Sequence, residues 1–227
     1  MSYLGINASL RTNVSFRSKT DEDYHKGLSR LELFHDLNIT DCVVLEYMHD
    51  VCLGVMKRLI SFWKKGKKSV RLINDNVTNE ISSELEHLKS YFPKEFNRLP
   101  RSLEELEYWK AVEFRSFLLY SGPIVLKGKL QKTFYKHFML LHCAIRLLVS
   151  NETCITYNEL ANTLLRQFVI EYAERYGEEY ITYNVHGLIH VSHFVKIHGS
   201  LDTFSAFKFE NYLQNIKNTL KNARFPL

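Results

Sequence analysis

Glycine and proline are scarce in this chain, nine and four among 227 residues. A turn-dense β architecture needs both at its corners, so the shortage points to long helices. Cysteine is equally thin. Cys42, Cys52, Cys143 and Cys154 form no Cys-x-x-Cys pair and sit among apolar residues. That excludes a disulfide framework and predicts reduced, buried thiols of an intracellular protein. No apolar run approaches the ~18 residues of a membrane-spanning helix. Met1-Ser2-Tyr3-Leu4-Gly5 lacks the basic head and apolar core of a signal peptide. Gly-rich phosphate loops, nucleophile elbows and Cys-His protease pairs are absent as well.

What is present is ordinary for a globular chain, 45% hydrophobic and 24% charged, long enough to bury a sizeable core. The net charge of +5 permits an acidic partner such as DNA without demanding one. Lys64, Lys65, Lys67 and Lys68 form one basic run, a candidate phosphate contact; a solvated loop is the plain alternative. Lys127, Lys129, Lys132 and Lys136 form a looser one.

The first forty residues are polar and without a sustained period, which predicts an extended polar arm over 1–40 and a helical domain over 41–227. From Asp41 onward apolar residues recur at steps of three and four. The spacing predicts helices over about 41–63, 79–91 (Thr78 as N-cap), 130–149, 156–176, 184–197 and 203–222. Ser102-Leu-Glu-Glu105 reads as a capping box opening a helix that Gly122-Pro123 ends. One short strand is expected near Ile124-Val125-Leu126. The class is mainly α, and fifteen Phe with thirteen Tyr predict a core that is partly aromatic.

Three places could carry chemistry. His186 and His190 stand four apart on one helix face, with His193 continuing the stripe, a spacing that zinc accepts. A core histidine bonded to a carbonyl, or a polar stripe, gives the same pattern. Glu46 and His49 form a carboxylate–imidazole pair three apart, common on helix surfaces. The four together would be a closed, structural metal site with no position for an activated water. Glu210, between Phe209 and Tyr212, is either a functional acid or an outward-facing helix residue.

At these places the chain resembles a transposase family. Leu45-Glu-Tyr-Met-His-Asp-Val-Cys-Leu-Gly-Val-Met-Lys-Arg-Leu59 is similar to the segment of CACTA-type DNA transposases and their animal relatives that reads D-Y-M-H before an apolar helix. Trp109-Lys-Ala-Val-Glu-Phe-Arg-Ser-Phe-Leu-Leu-Tyr-Ser-Gly-Pro123 resembles that family's W-K-A-x-E-F-R-x-F-L-L-Y-x-G-P. Tyr183-Asn-Val-His186 through His190, then Ser205-Ala-Phe-Lys-Phe-Glu-Asn-Tyr212, resemble its closing N-x-H…H and F-E-N/R-Y block. The resemblance implies a DDE-type, RNase H-like core interrupted by a helical insertion. Glu46, His49, His186 and His190 would bracket that insertion around a structural zinc, and Glu210 would be the last catalytic acid. Mg or Mn would be bound only by the intact family enzyme. Glu46 departs from the family's usual Asp.

The family's first two catalytic aspartates lie on strands upstream of the segment corresponding to Arg11. Asp21, Asp23, Asp36 and Asp41 stand in the wrong context to replace them. Two-metal chemistry needs carboxylates from several strands, so catalysis by this chain alone is not expected. The resemblance implies a nuclear, DNA-associated remnant. The alternative is a co-opted α-helical module that binds protein partners. A stand-alone zinc hydrolase fits least, because neither an open metal position nor a general base can be named.

Overall fold

The computed structural model describes residues 5–7, 10–20, 22, 25–66 and 74–219, which are mainly helical and contain no strand. Ten α-helices occur among them. The first two are short, α1 (Asn13–Arg17) and α2 (Ile39–Cys42). A widened π-helical segment, Tyr47–Met56, runs straight into α3 (Lys57–Lys65). Then come α4 (Asp75–Leu88), α5 (Ala111–Ser116), α6 (Gly122–Val125), α7 (Lys132–Val149), α8 (Asn158–Tyr176), α9 (Tyr183–His198) and α10 (Phe207–Thr219).

The centre is a stack in which α8 packs on α7 and on α9, and α9 packs in turn on the π-helical segment. Its filling is aromatic. Trp63, Phe117, Phe138, Phe168 and Tyr172 are all buried, and the Trp63 indole N–H donates to the Tyr176 hydroxyl at 3.0 Å. His137 joins this cluster, stacked on Phe168 with ring centres 4.2 Å apart and bonded through Nε2 to the Phe168 carbonyl at 2.9 Å. Burial pushes its pKa down to about 4, so it is a neutral core residue.

Close approach of the π-helical segment to α9 depends on glycine. A Cβ on Gly54 would stand 2.1 Å from the Asn184 amide nitrogen, and one on Gly187 would stand 3.2 Å from Leu45. Asn158 adds a polar tie, its side chain donating to the Cys154 and Ser192 carbonyls at 3.2 and 3.1 Å. Gly177 ends α8 at φ 107°, a value that side-chain-bearing residues rarely adopt.

The stretch after Ser102 departs from expectation. Ser102 does cap, accepting from the Glu104 N–H at 3.0 Å. Glu105, however, turns to Arg101 (3.1 Å) rather than back to the cap. The result is a 3₁₀ segment, Leu103–Tyr108, broken where Trp109 and Lys110 become extended. The helix proper starts again at α5, where Glu113 accepts from the Lys110 N–H at 2.7 Å. Glu113 is buried and receives two bonds from the Arg101 guanidinium, at 2.5 and 2.8 Å.

Gly122-Pro123 does not stop this helix. The Gly122 N–H reaches five residues back to the Phe117 carbonyl, and the widened turn over Phe117–Ser121 carries the chain past Pro123 into α6. Ile124 and Val125 are therefore helical, in place of the expected strand. Earlier in the chain, α4 begins at Asp75 with Asn74 as its cap, four residues before the expected start.

The arm is partly folded. Arg17 donates to the carbonyls of Glu32, Phe34 and Leu37 at 2.7–2.9 Å, and Asn13 accepts from the Ile39 N–H at 3.1 Å, so side chains close the loop where apolar burial is thin. Asp21 and Asp23 lie outside the described residues, as does the end of the last expected helix beyond Thr219. Two cysteines depart from the buried expectation: Cys42 and Cys143 are exposed, while Cys52 and Cys154 are buried, and all four are free. No described helix is long and apolar enough to cross a membrane.

Candidate functional site

The four segments that carry the resemblance, far apart in the chain, meet around the start of the π-helical segment. Glu46 is the hub. Its side chain caps that helix, accepting from the backbone N–H groups of Met48 (2.8 Å) and His49 (2.9 Å). One carboxylate oxygen also accepts from the Ala206 N–H at 2.6 Å and the Ser205 hydroxyl at 3.2 Å, just before α10. The other lies 2.7 Å from the His49 Nδ1. Burial raises the Glu46 pKa, but the bonds from Ala206, Met48 and His49 outweigh it and hold the carboxyl below its ordinary value. Asp50 accepts from the Glu46 N–H at 2.8 Å, and its own pKa is raised by burial.

The other blocks close round this hub. The Tyr47 and Phe207 rings meet edge to face, centres 6.2 Å apart. Arg115 of α5 pairs with Asp202 at 2.8 Å. Most of the Trp-Lys-Ala-Val-Glu-Phe-Arg block therefore holds the fold together, with Glu113 fixing Arg101 and Arg115 fixing the turn before α10.

His186 and His190 do come together, their Nε2 atoms 3.3 Å apart. Burial pushes the His190 pKa down to about 4, helped by His186, Arg166 and His193, so its imidazole is neutral. Two corners of a tetrahedral zinc with Zn–N bonds of about 2.0–2.1 Å are separated by about 3.3 Å, so this pair fits two positions of such an ion. The four-ligand set does not fit. No group of three or more His, Cys, Asp or Glu among the described residues is placed to hold a metal. Glu46 and His49 are engaged with each other and with backbone N–H groups instead.

His193 continues the stripe but serves the arm: its Nε2 meets the Asp41 carboxylate at 3.1 Å, while His198 meets the Asp41 carbonyl at 2.8 Å. Asp41 also accepts from Asn38 at 2.6 Å. A cavity of about 620 Å³ opens between the arm and α9 beside His190 and His193. Spacing could not announce the Asp41–His193 contact, which joins residues 152 apart.

Glu210 is exposed on α10. Lys64 is held inward, its side chain 10% exposed and bonded to the Leu103 carbonyl (2.8 Å) and Glu104 (3.1 Å). Lys65 pairs with Glu107 at 3.2 Å. Lys67 and Lys68 lie outside the described residues. Of the looser basic set, Lys129 pairs with Glu84 at 2.5 Å.

A second cavity, about 450 Å³, lies between α5, the 95–98 loop and the start of α10. Sequence spacing gave no sign of it, since its Arg98, Arg115 and Lys208 come from three separate parts of the chain. Comparison of the chain with protein-family models, with curated proteins and with solved structures finds no match in any of the three.

Proposed function

We propose that this chain is the helical insertion and the last acid-bearing helix of a DDE-type DNA transposase, unable to catalyse transposition without further strands. The observation that carries the reading is α10. It bears Glu210 and has no buried residue, although Phe209, Tyr212, Leu213 and Ile216 form an apolar stripe along it. A helix of an RNase H-like core would rest such a stripe on a β-sheet. Further support is the meeting of the four resembling segments at Glu46, with α10 latched there through Ala206.

In this reading Glu210 is the third metal-binding carboxylate, and Mg or Mn is held only when two upstream aspartates complete the set. Zinc enters at His186 and His190 alone; Glu46 is a helix cap and latch. DNA is the partner and the nucleus the place of action. Of the basic run, Lys65 is the described residue exposed enough to meet a phosphate.

The test begins upstream of Met1 in the transcript. The reading expects an open frame with two aspartates on alternating apolar strands. The extended protein should then nick supercoiled DNA with Mn, and Glu210→Gln should abolish that nicking. An upstream frame without such strands, or nicking indifferent to Glu210→Gln, would overturn it. The apolar stripe of α10 also suits the second reading, a helical module that captures a protein partner. Association through α10 that survives in the extended protein favours that module.

A further inference from the structure

We propose that the cavity between α5, the 95–98 loop and α10 binds one nucleotide unit of a single-stranded nucleic acid. Its volume of about 450 Å³ falls within the range of about 300–1,000 Å³ that suits small-ligand sites. Three cations line it. Arg115, half-buried, is oriented from one side by Asp202 at 2.8 Å. Arg98 and Lys208 are exposed at the rim, and neither forms an ion pair among the described residues.

Against these stand two carboxylates, Asp202 and Glu95. The lining therefore keeps one positive charge, which a single phosphodiester neutralises. Two aromatic rings share the same walls. Phe96 is held edge-on by Phe92 and Tyr120, with centres 5.0 and 5.4 Å away, and Phe207 rests on Tyr47. Rings fixed in this way can receive a base without first being ordered. Asn97 and Asn211 bring amides, which both donate and accept, to the same space.

Cations that track a backbone beside rings that stack bases are the common chemistry of single-strand recognition. A duplex keeps its bases stacked on each other and offers none to Phe96 or Phe207. The site is therefore selective for unpaired strands. This inference does not rest on the transposase reading, since it needs neither a metal nor Glu210.

The test is fluorescence anisotropy with a labelled oligothymidylate and the same thymidine strand paired to oligoadenylate. The strand should bind more tightly than the duplex. Arg98→Ala with Lys208→Ala should weaken it about tenfold and flatten its salt dependence. Phe96→Leu should weaken it without changing the salt slope. Lys196→Ala, on α9 outside the cavity lining, should leave strand binding unchanged. Competition by thymidine monophosphate as effective as by unlabelled strand would identify a free nucleotide as the ligand of the same site. Failure of the wild-type protein to bind the strand at low salt would overturn the inference. So would equal binding by the folded Arg98/Lys208 double variant, or a loss that follows Lys196 instead. A missing upstream frame leaves this result untouched, so the two readings fail separately.

Discussion

α8 and α10 are both regular helices, and they are held by different things. α8 buries Ala161, Leu165, Phe168, Val169, Tyr172 and Tyr176 between two neighbours. α10 buries nothing, and Phe209 and Tyr212 are 67% and 66% exposed. A thirteen-residue helix is near the lower limit for isolated helices in water. What anchors α10 is its entry, where Glu46 receives the Ala206 N–H and Phe207 rests on Tyr47. The core is thus filled around α7, α8 and α9, while α10 leaves an apolar face uncovered by the described residues.

The largest break of that contrast is Trp63→Ala. It empties a fully buried site and removes the partner of the Tyr176 hydroxyl. A loss of about 3–5 kcal/mol in urea unfolding is expected. Acid acts on the same core. His137 has a folded pKa of about 4 against an ordinary 6.5, so the unfolded chain binds the proton more readily. Its stabilisation is whole above about pH 6.5 and is lost as pH falls toward 4, on the order of 3 kcal/mol in total. His137→Phe should flatten the fall in stability between neutral and acid pH; an unchanged slope would remove His137 from the account.

Glu113→Gln should cost about 2–3 kcal/mol, because it leaves the Arg101 fork without its charged partner. Thermal unfolding of that variant and of Arg101→Met together would show whether the two changes are coupled. Smaller still is Glu46→Ala, about 1 kcal/mol. Its effect should fall on α10, read as faster amide exchange over 207–219, with α8 unchanged.

The helices of the central stack were readable because each buries a continuous stripe: α7, α8 and α9 lie within a few residues of their expected bounds. The 102–126 stretch was not, because its breaks are set by contacts made across the fold. Glu105 turns to Arg101, Trp109 donates to the Ser102 carbonyl, and Pro123 follows a widened turn. Burial of cysteine failed for a similar reason, since an apolar neighbourhood in sequence does not say which face of a helix Cys143 occupies.

For the site, helix spacing correctly joined His186 to His190 and Glu46 to His49, both within one turn. It could not say whether the two pairs meet. The glutamate at position 46, with its side chain bonded to Met48, His49 and Ala206, is a cap and a latch. Those bonds are invisible in one dimension because one of them spans 160 residues. Lys64 shows the same limit: a run of lysines reads as a surface, yet this one folds inward onto Leu103 and Glu104.

The stripe of α10 has no apolar partner among the described residues, and a change within it tests that most directly. Leu213→Ser should change the unfolding free energy by no more than about 0.5 kcal/mol, the level of a surface substitution. Amide exchange over 207–219 should meanwhile be far faster than over 158–176. A loss of several kcal/mol from Leu213→Ser, with α10 amides protected as strongly as those of α8, would contradict the account.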